Sequence, residues 1–293
     1  MRKTDINNLA KNLNKLADEL QFQDHISRDV IASFNKSDRY LWDGFKSYFQ
    51  PVHKNNTIDI DMLVGIDEQI RRVYQNTEQF AKGLSANNVL LWGERGMGKS
   101  ACVKSVFSKL NEVHYKNLKL IQLSREAMED LPYIIKLMEN TEFRFIIFCD
   151  DLSYDQQDQN FKTFKSVLDG GICEVPENII FYATSNRRHL YKYDVDQQNS
   201  QSLLSQKEDA QEIISLSDRF GLWIGFYPCS QDEYLEMISR YVTKFDLPVD
   251  KEQTKKEGLE WARSRGARSG RIAWHFIKDI AGRKGYKLRA QNT

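Results

Sequence analysis

The chain has 293 residues, and its 42 Lys and Arg residues against 41 Asp and Glu give a formal net charge of +1. This length is enough for one large domain or two smaller ones, and the near-balanced charge excludes a strong overall attraction to nucleic acid or to membrane surfaces. No apolar run is long enough to cross a bilayer and the N-terminus lacks the apolar stretch of a signal peptide, so we expect a cytoplasmic protein without a membrane partner.

Residues 1–60 precede the first clear strand, and we predict that they form a helical N-terminal extension. Five apolar residues in this extension lie three or four apart, as on one face of an amphipathic helix: Ile6, Leu9, Leu13, Leu16 and Leu20. An aromatic cluster follows at residues 40–49, just before Pro51. Aromatic rings beside lysines can stack on nucleic-acid bases, but the sparse and mixed neighbouring charges favour a piece of the core.

A short element containing Gly65 and Ile66 leads into a helix that we predict from about residue 68 to residue 84. Because this helix in turn leads to the strand before a glycine-rich loop, residues 93–100, that fits a nucleotide phosphate-binding pattern, Gly65 and Ile66 are candidate contacts of an adenine base. The sequence alone equally allows an ordinary turn at this place.

The glycine-rich loop at residues 93–100 follows a short apolar run and precedes a predicted helix. It fits the phosphate-binding pattern of glycine, four residues, glycine, lysine and serine or threonine. Glycines are needed where backbone N–H groups fold around a phosphate, and the positive end of the helix then faces the anion. A flexible surface turn is the alternative, which the flanking strand and helix disfavour. The predicted ATP contacts are Gly93, Glu94, Arg95, Gly96, Met97, Gly98, Lys99, Ser100 and Ala101.

Apolar runs at residues 89–92, 118–123, 143–149, 178–186 and 222–227 predict a five-stranded parallel sheet, with helices between the strands. The third run leads directly into Asp150 and Asp151. In an open α/β sheet the ligand lies at the carboxyl ends of the strands. We therefore predict that Asp150 and Ser100 hold Mg²⁺ and that Asp151 acts as a base or orients water. Asn186, the last residue of the fourth run, could contact the attacking water or the γ-phosphate, or could be a turn residue.

The last part of the chain changes character, because residues 192–212 are polar and everything beyond residue 229 has helical spacing. We interpret the polar segment as a surface loop and the final segment as three helices. The predicted domains are a helical extension at 1–60, an α/β nucleotide-binding domain at 61–228 and a helical lid at 229–293. From residue 261 onward, nine Lys and Arg residues stand against one acid, which makes this the candidate surface for an anionic partner.

Four segments together resemble the AAA+ ATPases and, more closely, an uncharacterised bacterial AAA+ family known as domain of unknown function 815. They are residues 93–100, 148–154, 183–190 and 215–228, and the resemblance spans about residues 40–285. It implies a P-loop ATPase with Lys99 and Ser100 in the Walker A motif, Asp150 in Walker B and Asn186 at sensor 1. Asp151 stands where many AAA+ proteins have a glutamate, which is one methylene longer.

The resemblance also implies roles for two arginines. Arg219 matches the arginine finger that reaches the γ-phosphate of a neighbouring subunit, and Arg271 matches the sensor-2 arginine of the lid, with Arg268 as its substitute. An arginine supplied by another subunit makes hydrolysis depend on assembly, so we expect a homo-oligomer. On the residues alone, Arg219 could equally pair with Asp218 or a nearby acid, and Arg271 could be a solvated helix start.

Three functions fit these features: an oligomeric ATPase that remodels a protein or nucleic-acid client, a nucleic-acid loader that uses the basic C-terminal helices, and an ATP-dependent assembly switch with little turnover. Unfoldases that thread polypeptide usually carry an aromatic residue, an apolar residue and a glycine after the second strand. The corresponding residues 124–130 contain no aromatic residue and no glycine, which weakens the case for peptide threading.

Overall fold

A computed structural model describes residues 32–53, 57–152, 159–170, 175–186 and 218–288 of the chain. The amphipathic helix predicted around residues 6–20 and the surface loop predicted at 192–212 lie outside these residues. Within them, the chain forms a twisted α/β layer structure followed by three C-terminal helices. The division into three domains stays a prediction.

The sheet has seven strands in the order β2-β1-β4-β5-β6-β3-β7. The strands are β1 (Arg39–Asp43), β2 (Tyr48–Pro51), β3 (Val89–Gly93), β4 (Leu118–Leu123), β5 (Arg144–Cys149), β6 (Ile179–Ser185) and β7 (Leu222–Phe226). All neighbouring strands are parallel except β1 and β2, which form an antiparallel hairpin. The five strands predicted from apolar runs are confirmed as β3 to β7, and their apolar character follows from burial on both faces.

The hairpin of β1 and β2 corrects the prediction that residues 1–60 are helical and enlarges the predicted five-stranded sheet to seven strands. The side chains here alternate as in a strand: Tyr40 and Trp42 are buried in the core, whereas Leu41 between them is exposed. Phe49 is buried opposite Trp42 on the partner strand. The prediction that the aromatic cluster belongs to the core therefore holds for these rings, but Phe45 at the turn is 97% exposed.

Helices cover both faces of the sheet. On one face, α1 (Asp67–Ala81) and α2 (Lys99–Val113) bury Val73, Phe80 and Phe107 against the strands. On the other face, α3 (Leu131–Met138) and α4 (Gln159–Leu168) bury Ile134 and Phe164. The predicted helices in these places are confirmed. This two-sided cover fixes the sheet rigidly and leaves the ends of its strands free to form a site.

The C-terminal bundle consists of α5 (Gln231–Lys244), α6 (Lys251–Ser264) and α7 (Gly270–Arg283). Each helix begins with a capping side chain, because Ser230, Asp250 and Ser269 each accept a hydrogen bond from the backbone N–H three residues further on. The bundle has a core of its own around Tyr234 and Phe276. Among the described residues, no helix is both long enough and apolar enough to span a membrane.

Candidate functional site

A cavity of about 670 Å³ lies between the sheet and the C-terminal bundle. It opens at the carboxyl ends of the strands, since the residues that follow β3, β5, β6 and β7 all line it. Residues 62–66 before α1 and side chains of α5 and α7 close the other sides. The cavity therefore occupies the position at which ligands bind in open α/β sheets.

The loop between β3 and α2 is shaped by three glycines with positive φ: Gly93 at 141°, Gly96 at 85° and Gly98 at 93°. A side chain at Gly93 would overlap the backbone carbonyl of Phe226 in β7, and a Cβ at Gly96 would lie 2.9 Å from Oγ of Ser269 in the bundle. Glycine is thus required both for the backbone conformation and for close packing. The loop touches the sheet on one side and the bundle on the other.

Replacing Gly93 by alanine is expected to lower the free energy of unfolding by roughly 3 kcal/mol, because the new Cβ meets backbone and the φ angle is strained. Gly170→Ala is the matched control. Gly170 also has a positive φ, of 67°, but a Cβ there meets nothing within 4 Å, so only the strain remains. Urea unfolding of both variants measures the difference. Equal stability of the two would contradict the steric role of Gly93.

Lys99 begins α2 and is buried beneath the loop. Its ammonium donates hydrogen bonds to the carbonyl oxygens of Gly93 and Glu94, the latter at 2.8 Å, and to Oδ1 of Asn186 at 3.2 Å. Burial lowers the pKa of Lys99 to about 8, and the nearby Asp151 carboxylate opposes that shift. The side chain is therefore mostly charged at pH 7, and it places a cation at the cavity.

Ser100, Asp150 and Thr184 form a compact oxygen cluster. The hydroxyls of Ser100 and Thr184 each donate a hydrogen bond of 2.6 Å to Oδ1 of Asp150. Thr184 also accepts a bond from the backbone N–H of Asp151, at 2.8 Å. The contribution of Thr184 was not predicted, although its place at the end of a buried strand was a usable signal.

The same cluster fits the chemistry of Mg²⁺. A serine hydroxyl and an aspartate carboxylate are the hard oxygen donors that this ion takes. Across the described ranges, no group of three or more His, Cys, Asp and Glu side chains could hold a metal. A magnesium ion at Ser100 and Asp150 would thus complete its shell with water and with oxygens of a bound phosphate, as expected for an ion that keeps several waters.

Asp151, the second residue after the buried strand β5, adopts a left-handed backbone conformation with φ of 57°. Its carboxylate accepts a hydrogen bond from the Asn186 amide and pairs with Arg95 at 3.1 Å. The structure therefore brings together the predicted residues Asp151 and Asn186 and joins both to the loop. Such non-glycine positive φ values concentrate at functional sites.

Apolar residues also line the cavity. Met97 of the loop is one of them, together with Ile66, the backbone of Gly65 and Ala101 from α2. The bundle adds Tyr241 and Trp274, whose ring centroids are 5.1 Å apart. These two rings were not predicted to line the site. The sequence places them in predicted helices but does not say which face of each helix meets the sheet. Gly93 and Glu94 are not among the described residues that line the cavity. Their carbonyl oxygens instead accept hydrogen bonds from Lys99, which does line it.

The three candidate arginines separate into two places. Arg271, in the first turn of α7, lines the cavity, whereas the exposed Arg268 is not among the described residues that do so. Arg219 lies before β7, at the opposite end of that strand from the cavity. Its guanidinium pairs with Asp169 at 2.7 Å, not with the adjacent Asp218. A five-residue strand is about 17 Å long, so Arg219 is too far to reach the cavity of its own chain.

Residues 35–284 match the family described as "Protein of unknown function (DUF815)". Among solved structures, the Thermotoga maritima RuvB Holliday junction branch migration motor superposes with a TM-score of 0.52 at 17% identity, over 78% of this chain and 66% of that one. The Aeropyrum pernix ORC1 protein, solved in complex with DNA, gives 0.57 at 15% identity, over 78% and 63%. This chain thus spans just under two thirds of either protein. No curated protein matches it.

Proposed function

Because the chain belongs to the DUF815 family and has the fold of the AAA+ ATPases, we propose that it binds and hydrolyses Mg-ATP at the interface between identical subunits and uses the energy to remodel a macromolecular client. One observation carries the proposal. A buried lysine, an Asp150–Ser100 oxygen pair and the amide of Asn186 converge on one cavity, beneath a loop of left-handed glycines.

Binding of the triphosphate rests on the loop and on Lys99. Backbone N–H groups of residues 94–100 and the start of α2 offer donors and a positive helix end to the phosphates. The Lys99 ammonium, which has backbone carbonyl oxygens and Asn186 as partners, would exchange some of these for phosphate oxygens. Tyr241 and Trp274 supply flat apolar surface for the base.

Hydrolysis rests on the residues at the ends of β5 and β6. Ser100 and Asp150 would hold Mg²⁺, which when bound supplies positive charge that stabilises the reacting phosphate. The Asp151 carboxylate, aided by the Asn186 amide, would orient the attacking water and accept its proton. Arg271 approaches from the bundle and would stabilise negative charge that develops on the transferred phosphoryl group.

The experiment that tests the proposal measures molar mass by light scattering and phosphate release together, with and without Mg-ATP, across a range of protein concentrations. We expect assembly above the 34.3 kDa monomer with ATP, and turnover per chain that rises with concentration. A monomer whose turnover does not depend on concentration would contradict the interface mechanism. Assembly without turnover would instead identify an ATP-dependent switch.

The basic C-terminal segment gives the nucleic-acid loader little support. Arg283, one of its cations, is engaged within the bundle by Glu257 and Asp279, each at 2.8 Å. Arg271 faces the cavity. Fewer cations are therefore left for a phosphate backbone than the composition alone suggests.

A further inference from the structure

The turn of the β1–β2 hairpin, residues 43–48, presents apolar side chains to solvent. Phe45 at its tip is 97% exposed. Of the eight large hydrophobic side chains exposed in the described part of the chain, three lie on this hairpin: Leu41, Phe45 and Tyr48. Single exposed hydrophobic residues are ordinary, but a group concentrated on one short hairpin indicates an interaction surface.

The turn is held in place from both sides. The carboxylate of Asp43 accepts a hydrogen bond from the backbone N–H of Lys46 at 3.1 Å, and Ser47 has a positive φ of 50°. Behind the turn, the indole of Trp42 donates to Asp130 at 2.8 Å. A Cβ on Gly44 would lie 2.9 Å from that same carboxylate. Phe45 is therefore displayed by a fixed backbone, which lowers the entropy that binding would cost.

The hairpin turn lies on the same side of the sheet as the cavity, where the parallel strands end. The turn follows the carboxyl end of β1. Because β1 is parallel to β4, the turn lies against residues 124–130, which follow β4. In that neighbouring segment, Ala127 and Met128 are buried in the core. Phe45 therefore lies on the side of the sheet at which the parallel strands end.

The charges around the turn favour one class of partner. Four carboxylates stand in residues 43–48 and 124–130, namely Asp43, Glu126, Glu129 and Asp130, against the two cations Lys46 and Arg125. A net negative surface repels a phosphate backbone and suits neutral or basic partners. The edge strand β2 has only four residues and ends in Pro51, which limits strand addition and leaves side-chain contact as the mode of binding.

We propose that residues 43–48 dock an extended polypeptide segment whose apolar side chains are flanked by neutral or basic residues. Phe45 would be the anchor, with Tyr48 and Leu41 beside it. This goes beyond the ATP chemistry proposed above and does not depend on it, because no residue of the turn lines the cavity.

The test uses the full chain and three fluorescein-labelled probes: a 12-residue peptide of alternating Leu and Ser with a lysine at each end, the same peptide with every Leu replaced by Ser, and single-stranded oligothymidine. Binding is followed by fluorescence anisotropy for wild type, Phe45→Ser and the matched control Tyr286→Ser, which changes an aromatic residue exposed elsewhere. Of the three probes, we expect only the Leu peptide to bind wild type. Phe45→Ser should weaken this binding about tenfold, and Tyr286→Ser should leave it unchanged.

Several results would overturn the proposal: no binding of the Leu peptide to wild type, equal binding by Phe45→Ser, or oligothymidine binding that Phe45→Ser abolishes. A solution mass that falls in Phe45→Ser would identify a second copy of the chain as the occupant and would also overturn it. Because Phe45 is exposed, the variant should keep its thermal unfolding midpoint. An intact ATP turnover in Phe45→Ser without peptide separates failure of docking from failure of the ATP site.

Discussion

Replacing Arg219 by alanine is expected to lower ATP turnover about 1,000-fold while leaving ATP affinity unchanged, as for other arginines supplied across an interface. The reason is positional: Arg219 lies at the opposite end of β7 from the cavity of its own chain. If it acts as proposed, it would stabilise a transferring phosphoryl group only in a neighbouring subunit. Phosphate release and the binding of a fluorescent ATP analogue measure the two properties separately.

Asp169→Ala is the matched control for Arg219. In the described structure Arg219 pairs with Asp169, so the ion pair is broken in both variants but the arginine is kept in only one. If Arg219 acts on a neighbour, Asp169→Ala retains most of the turnover. Equal losses in the two variants would mean that Arg219 has only a structural role.

A mixing experiment tests the interface directly. Arg219→Ala keeps the proposed nucleotide site but lacks the arginine, whereas Lys99→Ala keeps the arginine but lacks the lysine. Mixed assemblies contain interfaces at which one chain supplies each part, so mixing two inactive variants should restore part of the activity. Full turnover by Arg219→Ala in dilute monomeric solution would refute the interface mechanism.

Replacing Lys99 by alanine should weaken ATP binding about 100-fold, since a buried ammonium lost from a phosphate site removes charge-assisted hydrogen bonds. Lys109→Ala is the matched control, because Lys109 lies on the same helix and is exposed. Calorimetric titration with ATP measures both. Unchanged affinity in Lys99→Ala would contradict the proposed nucleotide site.

The pH dependence of binding follows from the same lysine. Burial lowers the pKa of Lys99 to about 8, and bound phosphates would raise it again. Above pH 8 the free protein has a neutral Lys99, so binding must take up a proton and affinity must fall as the pH rises. We expect wild type to bind about tenfold more weakly at pH 9 than at pH 7, and the residual binding of Lys99→Ala to lack this change.

The sheet could be predicted because its central strands are buried on both faces, so that runs such as residues 145–149 are continuously apolar. The carboxyl ends of parallel strands meet at one edge, and this rule alone brings Asp150, Asn186 and Lys99 together. The hairpin was missed for the opposite reason. Its aromatic residues alternate between core and solvent, and Tyr40 and Phe45 look alike in sequence although one is buried and the other exposed.

The rest of the candidate site could not be predicted, because it depends on how the bundle packs against the sheet. Tyr241 and Trp274 are aromatic residues within predicted helices. Only the packing of α5 and α7 in the folded protein brings both to the cavity. The partner of Arg219 is similarly a tertiary fact, since Asp169 is fifty residues away in sequence and Asp218 is adjacent. Local patterns carry no information about such contacts.

The cavity is lined by residues from distant parts of the chain, so it can be completed only late in synthesis. Lys99 leaves the ribosome about 175 residues before Trp274, which at ordinary elongation rates corresponds to roughly 10 to 35 s. Until the bundle has been made and has packed, the loop lacks its contact with Ser269, and the cavity lacks the wall to which Tyr241 and Trp274 belong. A nucleotide bound there as we propose would hold sheet and bundle together, so the nascent chain would gain this ligand stabilisation only once both halves exist.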